Sequence, residues 1–224
     1  QSGFSFCLTI PFILLGGFNY LDVLIRGMGY SNLITGGIYM FTLVMVLQLI
    51  GLPFSLYSTF VIEEKYGFNK TTIKTFVLDL LKSTLLSIII MLPVLCALLW
   101  FFEFMGDYAW LICWGFLVAV QLILTFIAPT FIMPLFNKFV PLEEGELKQL
   151  IQSYADKYKF GLDGVFTMDG SKRSTKSNAF FTGFGKFRRI VLFDTLIEKH
   201  TPKELLVVLA HEMGHFKKHH IKFH

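Results

Sequence analysis

Three long stretches of this chain carry no formal charge: Leu33 to Ile62, Ser83 to Phe102 and Tyr108 to Asn137. Each reaches the roughly 20 residues that a helix needs to cross a bilayer core, so the pattern predicts three membrane helices. Phe4 to Phe18 is a shorter, fourth candidate, read as an incomplete span, and it lacks the basic flank of a secretory signal. Pro53, Pro93, Pro129 and Pro134 fall inside or at the ends of these spans, where neighbouring helices tolerate kinks.

Beyond Asn137 the pattern changes. Leu147, Leu150, Ile151 and Tyr154 recur at helical spacing and predict an amphipathic helix over Leu142 to Tyr158. Gly164 to Met168 is a short β-type run, and Ser177 to Thr182 and Arg188 to Phe193 read as strands around Gly183-Phe184-Gly185-Lys186. Thr201-Pro202-Lys203-Glu204 then marks a helix start: Thr201 as N-cap, Pro202 in the first turn, Glu204 closing a capping box. The apolar run Leu205 to Ala210 is expected to carry this helix into buried surroundings. The predicted fold class is mainly α. It comprises a multi-pass transmembrane helical bundle, residues 1–136, and a small cytosolic α+β region, residues 137–224, ending in that helix.

Composition supports a membrane setting: 54% of the 224 residues are hydrophobic and 26 are Phe, against about 45–50% apolar, glycine included, in a soluble domain. Charge sets the orientation. Lys65, Lys70, Lys74 and Lys82 lie in one connection, and fifteen Lys plus Arg against ten Asp plus Glu follow Asn137. Both regions fall on the same side, which the positive-inside rule makes cytoplasmic. The net charge of +4 therefore bears on topology, and Arg188 and Arg189 beside Lys186 read as a solvated hairpin end near anionic lipid. No nucleic-acid partner is expected. Cys7, Cys96 and Cys113 sit in apolar segments and read as buried thiols, not metal ligands.

The candidate chemistry lies at His211-Glu212-Met213-Gly214-His215, an H-E-x-x-H motif on the last helix. Histidines four apart share one helical face and can bind one zinc ion together, one per chain, while Glu212 is placed to serve as general base. Gly214 inside the helix is expected to admit a neighbouring backbone. Hydrolytic zinc needs a third protein ligand. His219 sits a further turn up the same helix, about 5–6 Å beyond the pair, with His220 and His224 nearby, and a straight helix does not wrap three such ligands around one ion. Asp169 or Asp194 could approach from the β region, but nothing in their spacing selects them. The third ligand is expected beyond residue 224, in a truncated chain. Upstream, Ser177-Asn178-Ala179-Phe180 reads as an edge strand that could pair with an extended peptide, Asn178 offering a donor and an acceptor and Ala179 leaving room for close approach.

Several blocks occur in one order: Pro53 to Asn69, Gly170 to Ser174, Ser177 to Phe181, Arg189 to Leu196 and the H-E-x-x-H helix. Together they resemble the type I CAAX prenyl endopeptidases, multi-pass membrane zinc metalloendopeptidases. The resemblance implies a helical membrane barrel around a water-filled chamber, with the zinc site on the cytosolic side. It implies His211 and His215 as ligands, Glu212 as base, and Asn178 with Ala179 along a peptide or protein substrate at the lipid bilayer. That substrate is prenylated in CAAX-processing members and a damaged membrane protein in quality-control members. Lys176 stands where many members carry His. The short path from Asp194 to His211 points to the bacterial branch, hence to a bacterial inner membrane ahead of the endoplasmic reticulum. The rival reading is a zinc-binding scaffold, catalytically incomplete without its third ligand; a transporter rests on multiple spans alone.

Overall fold

A computed structural model describes residues 2–182 and 188–217, and the side chains of 7–182, 188–211, 213 and 214. The chain divides into two units, Gln1–Lys65 with Ile73–Leu122, and Tyr66–Thr72 with Ile123–His224.

The first unit is built of long apolar helices. Helix α1 (Ser2–Leu14) and α2 (Gly17–Arg26) are bent by 63° at a break where Gly16 takes φ 69°. A left-handed residue cannot continue a helix, so the expected fourth span is a broken pair whose second arm runs past Phe18. Helix α3 (Asn32–Tyr57) continues through a wider π-type turn, Ser58–Glu63; α4 (Ile73–Phe104) and α5 (Ala109–Ile127) follow. The end of α5 from Ile123 on, a second π-type segment (Ala128–Ile132) and α6 (Met133–Phe136) belong to the second unit. Asn32–Glu63, Ile73–Phe104 and Gly106–Phe136 are each long and apolar enough to cross a membrane, and at most 11% of each apolar window is buried inside the chain. Their hydrocarbon faces outward, as lipid contact requires. Among the thiols, Cys113 is buried, but Cys7 is exposed, contrary to the sequence expectation, because the apolar environment of a span is lipid rather than protein.

Small residues let α3 and α4 approach. A Cβ on Gly36 would stand 2.8 Å from Leu99 Cδ1, and one on Gly37 would stand 3.5 Å from Cys96 Sγ. Gln48 Nε2 donates to Thr84 Oγ1 at 2.7 Å, so each helix satisfies a polar group of the other.

The second unit centres on a four-stranded sheet in the order β1 (Phe139–Pro141), β2 (Gly164–Met168), β4 (Arg189–Phe193), β3 (Ala179–Thr182). Strand β4 is parallel to β2 and antiparallel to β3, with Ala179 opposite Leu192 and Thr182 opposite Arg189. The expected hairpin is thus present, although its tip falls outside the described residues. On one face, Val165, Ile190 and Leu192 pack against α7 (Glu146–Lys157) and α9 (Pro202–Lys217) through Ile151, Leu205 and Leu209. On the other, Phe166, Phe180 and Val191 border a cavity of about 80 Å³ shared with Pro129, Met133 and Pro134. Both faces are covered, which explains the near-continuous apolar run of β4.

A short helix α8 (Asp194–Lys199) follows β4 directly. The loop Tyr66–Thr72 is fastened to the segment before β3. Lys70 N donates to Arg173 O and Thr175 N to Phe68 O, each at 3.0 Å, while Asn69 bridges Ser174. Arg173 extends the fastening: its guanidinium donates to Phe136 O at 2.7 Å and Asn137 Oδ1 at 2.8 Å, closing the exposed carbonyl end of α6.

Candidate active site

The helix that carries the motif starts where its sequence says it should. Thr201 N and Oγ1 donate to Glu204 Oε2 at 2.8 and 2.9 Å, and Glu204 N donates back to Thr201 Oγ1 at 3.4 Å. The capping box therefore forms, and these donors hold the Glu204 carboxyl below the usual carboxylate range, the backbone N–H contributing most.

Periodicity then decides which face is buried. Leu205, Leu209 and Met213, spaced by four, are all nearly inaccessible, whereas Val207 and Val208 are exposed. His211 lies on the exposed side, opposite this core stripe. Of the motif's described side chains, Met213 enters the buried surroundings that the apolar run predicts, while His211 is exposed, because only one stripe of the helix is locked onto the sheet. Position 215 comes one turn after 211 on the same face of an unbroken helix. The side chains of Glu212 and His215, and all of His219, His220 and His224, lie outside the described residues. A Cβ on Gly214 would meet nothing within 4 Å, so no described backbone approaches there.

The two acids that could have come from the β region are committed elsewhere. Asp169 Oδ1 accepts from Lys138 N at 2.6 Å. Asp194 Oδ1 accepts from Ser171 N at 2.9 Å and Thr195 N at 2.8 Å, and its Oδ2 accepts from Ser171 Oγ. Asp194 joins the Gly170–Lys172 turn to the start of α8. Among the described residues no group of three or more His, Cys, Asp or Glu is arranged to hold a metal ion.

Strand β3 lies at the end of the described sheet, as the edge expectation requires. Phe193 N donates to Asn178 O at 3.0 Å, which makes Ala179–Leu192 a non-hydrogen-bonded pair. The N–H and C=O of Ala179 therefore point to the open edge. Asn178 is exposed, and its Oδ1 accepts from Ala179 N at 2.9 Å, which occupies that donor. Behind the strand, Ser177 Oγ donates to Thr195 O at 3.1 Å and Thr195 Oγ1 to Lys176 O at 2.9 Å. Lys176 Nζ sits 5.2 Å from the centre of the Phe68 ring. Ala179 and Phe181 pack on the same core that takes Leu209 and Met213, so the edge strand and the motif helix are braced by one cluster. Sequence reasoning missed the Arg173, Thr195 and loop 66–72 supports. Two of the ordered blocks, around Asn69 and around Ser174, signalled them only as blocks, since nothing in either sequence says that they touch.

Comparison with known proteins agrees with this architecture. Residues 1–138 match the family model "CAAX prenyl protease N-terminal, five membrane helices", and residues 141–224 match peptidase family M48. CAAX prenyl protease 1 of Saccharomyces cerevisiae is 51% identical over 175 residues, covering 77% of this chain and 38% of that protein. The Homo sapiens homolog of CAAX prenyl protease 1 is 38% identical over 254 residues, covering 93% of this chain and 53% of its own length. The crystal structure of S. mikatae Ste24p superimposes with a TM-score of 0.88 at 43% identity, covering 96% of this chain and 52% of that one. The chain spans about two-fifths to half the length of the curated relatives it matches. The membrane helices and this match make it a multi-pass membrane protein. With one family model over its helices and another over its sheet and motif helix, the chain belongs to the CAAX prenyl protease family of M48 peptidases.

Proposed function

We propose that this protein is an integral-membrane zinc metalloendopeptidase that cleaves peptide bonds close to the bilayer. The observation that carries the reading is the H-E-x-x-H spacing on an unbroken helix whose opposite stripe is anchored in the sheet core. The donor chemistry fits a divalent ion: histidines occupy positions 211 and 215, one turn apart along the helix, and His211 is exposed. His211 and His215 would hold one zinc per chain, with a further ligand from outside the described residues. When bound, zinc supplies Lewis-acid polarisation of the scissile carbonyl. Glu212 takes the proton from the attacking water and delivers it to the leaving amine. The free edge of β3 receives the substrate as an added strand through the Ala179 C=O, with the Asn178 side-chain amide, whose Oδ1 takes the Ala179 N–H, donating beside it.

The substrate class we favour is a C-terminal CAAX sequence with a prenylated cysteine, as the names of the relatives suggest. Turnover of membrane proteins is the second use of the same site. The basic connection and the basic region after Asn137 support a site on the cytosolic side. The reported relatives are eukaryotic, at 38–51% identity, which favours a eukaryotic membrane over the bacterial inner membrane suggested by the short path from Asp194 to His211. The inactive-scaffold reading is not favoured, since a peptidase model covers 141–224. In the full-length protein, Glu212→Gln should keep its zinc and lose hydrolysis of a farnesylated CAAX peptide, whereas His211→Ala should lower zinc content by metal analysis. Undiminished turnover by Glu212→Gln would refute the assignment.

A further inference from the structure

We propose that the turn joining α4 to α5 is an interfacial anchor, seating its aromatic side chains among lipid headgroups. All three tryptophans of the chain, Trp100, Trp110 and Trp114, cluster there. None lies more than five residues from the adjoining end of its helix, Phe104 in α4 or Ala109 in α5, so at the helical rise their Cα atoms are within about 8 Å of those ends. Trp100, Trp110 and Trp114 are 42%, 66% and 64% exposed, and Tyr108 and Phe104 are 71% and 64% exposed. The Trp100 and Phe104 rings lie 5.6 Å apart.

An indole combines a large apolar surface with an N–H that seeks an acceptor. Water strands the surface and hydrocarbon strands the donor, while the headgroup boundary accommodates both. Two further observations fix the level. Glu103 at the end of α4 and Asp107 in the turn mark its contact with water, and the other ends of these helices hold neither Trp nor Tyr: 73–82 and 123–136 contain none. Lys74 and Lys82 stand at the start of α4 instead. The two helices are thus anchored by aromatic rings at one boundary and, on α4, by lysine at the other. The partner surface is lipid, and no peptidase activity is required for it.

The test is depth-dependent quenching of tryptophan emission in reconstituted vesicles of phosphatidylcholine. Subtracting the emission of the triple variant Trp100→Phe, Trp110→Phe, Trp114→Phe isolates these residues even if other tryptophans are present. A nitroxide on the lipid headgroup should quench the difference emission at least about twofold more than a nitroxide near the acyl-chain end. Equal or stronger quenching by the chain-end label would put the turn in hydrocarbon and overturn the proposal. So would quenching by neither label, which would mean that protein or bulk water surrounds the turn. If the triple variant does not fold, the same differences taken with Trp110→Phe and Trp114→Phe singly decide the matter.

Discussion

Leu209→Ala tests whether the motif helix is held by its buried stripe. Leu209 is 1% exposed and shares a cluster with Ile151 of α7 and Leu192 of β4, whereas Val208, its chain neighbour, is 45% exposed. Truncating a buried leucine removes its transfer free energy and leaves a cavity, together about 2–5 kcal/mol. Rigid elements on both sides oppose collapse at this site, so about 3 kcal/mol is a fair expectation, a ~150-fold loss of protection. Val208→Ala, on the open side of the same helix, should stay within about 0.5 kcal/mol. Hydrogen exchange by mass spectrometry, read over Pro202–Lys217 in reconstituted protein, measures both. Protection should fall steeply in Leu209→Ala, up to the ceiling set by global unfolding, and remain unchanged in Val208→Ala. Zinc affinity should hardly move while more than ~90% of molecules keep the helix docked, because affinity scales with the competent fraction. Equal protection in the two variants would refute the argument, since the stripe at 205, 209 and 213 would then not be what holds the helix.

The remaining predictions concern the supports of the site. Glu204 has its folded-state pKa depressed below the ordinary 4.5 by donation from Thr201. The capping-box stabilisation should therefore be complete above that value and disappear as pH falls through the depressed one, a loss readable as faster first-turn exchange in α9 and flattened by Thr201→Ala. Arg173→Ala removes two charge-assisted bonds to Phe136 O and Asn137 Oδ1 and should cost about 2 kcal/mol in thermal or denaturant unfolding. Arg173→Lys should rescue little of this, because an ammonium cannot present the planar fork. Asn178→Ala removes an exposed side-chain amide beside the open edge at Ala179 and should lower kcat/KM of the full-length enzyme about 5–10-fold with zinc content unchanged, the equivalent of one hydrogen bond to the substrate.

Much of this protein was readable from local chemistry. Charge-free runs locate the spans because a bilayer tests composition and length, and both belong to contiguous residues. Even so, α4 begins at Ile73, ahead of the uncharged run, since Lys74, Asp79 and Lys82 are acceptable in a helix that has not yet entered hydrocarbon. The capping box formed as read because its partners are three residues apart. The i, i+4 histidine spacing is likewise a property of one helix.

What sequence alone left open involves residues far apart in the chain. The six-residue apolar run before His211 cannot say which side is buried; packing of Leu205 and Leu209 on α7 and the sheet decides it and leaves Val207, Val208 and His211 outward. Asp194 looked available as a ligand until the Gly170–Lys172 turn arrived beside it and took both its oxygens. The placement of Phe68 against Thr175, more than a hundred residues away, likewise depends on how the backbone is routed. Spans, caps and motif spacing are short-range and were therefore legible in the chain. Burial, strand order and the sharing of polar groups arise when distant segments meet, and such meetings leave no periodic trace in either segment.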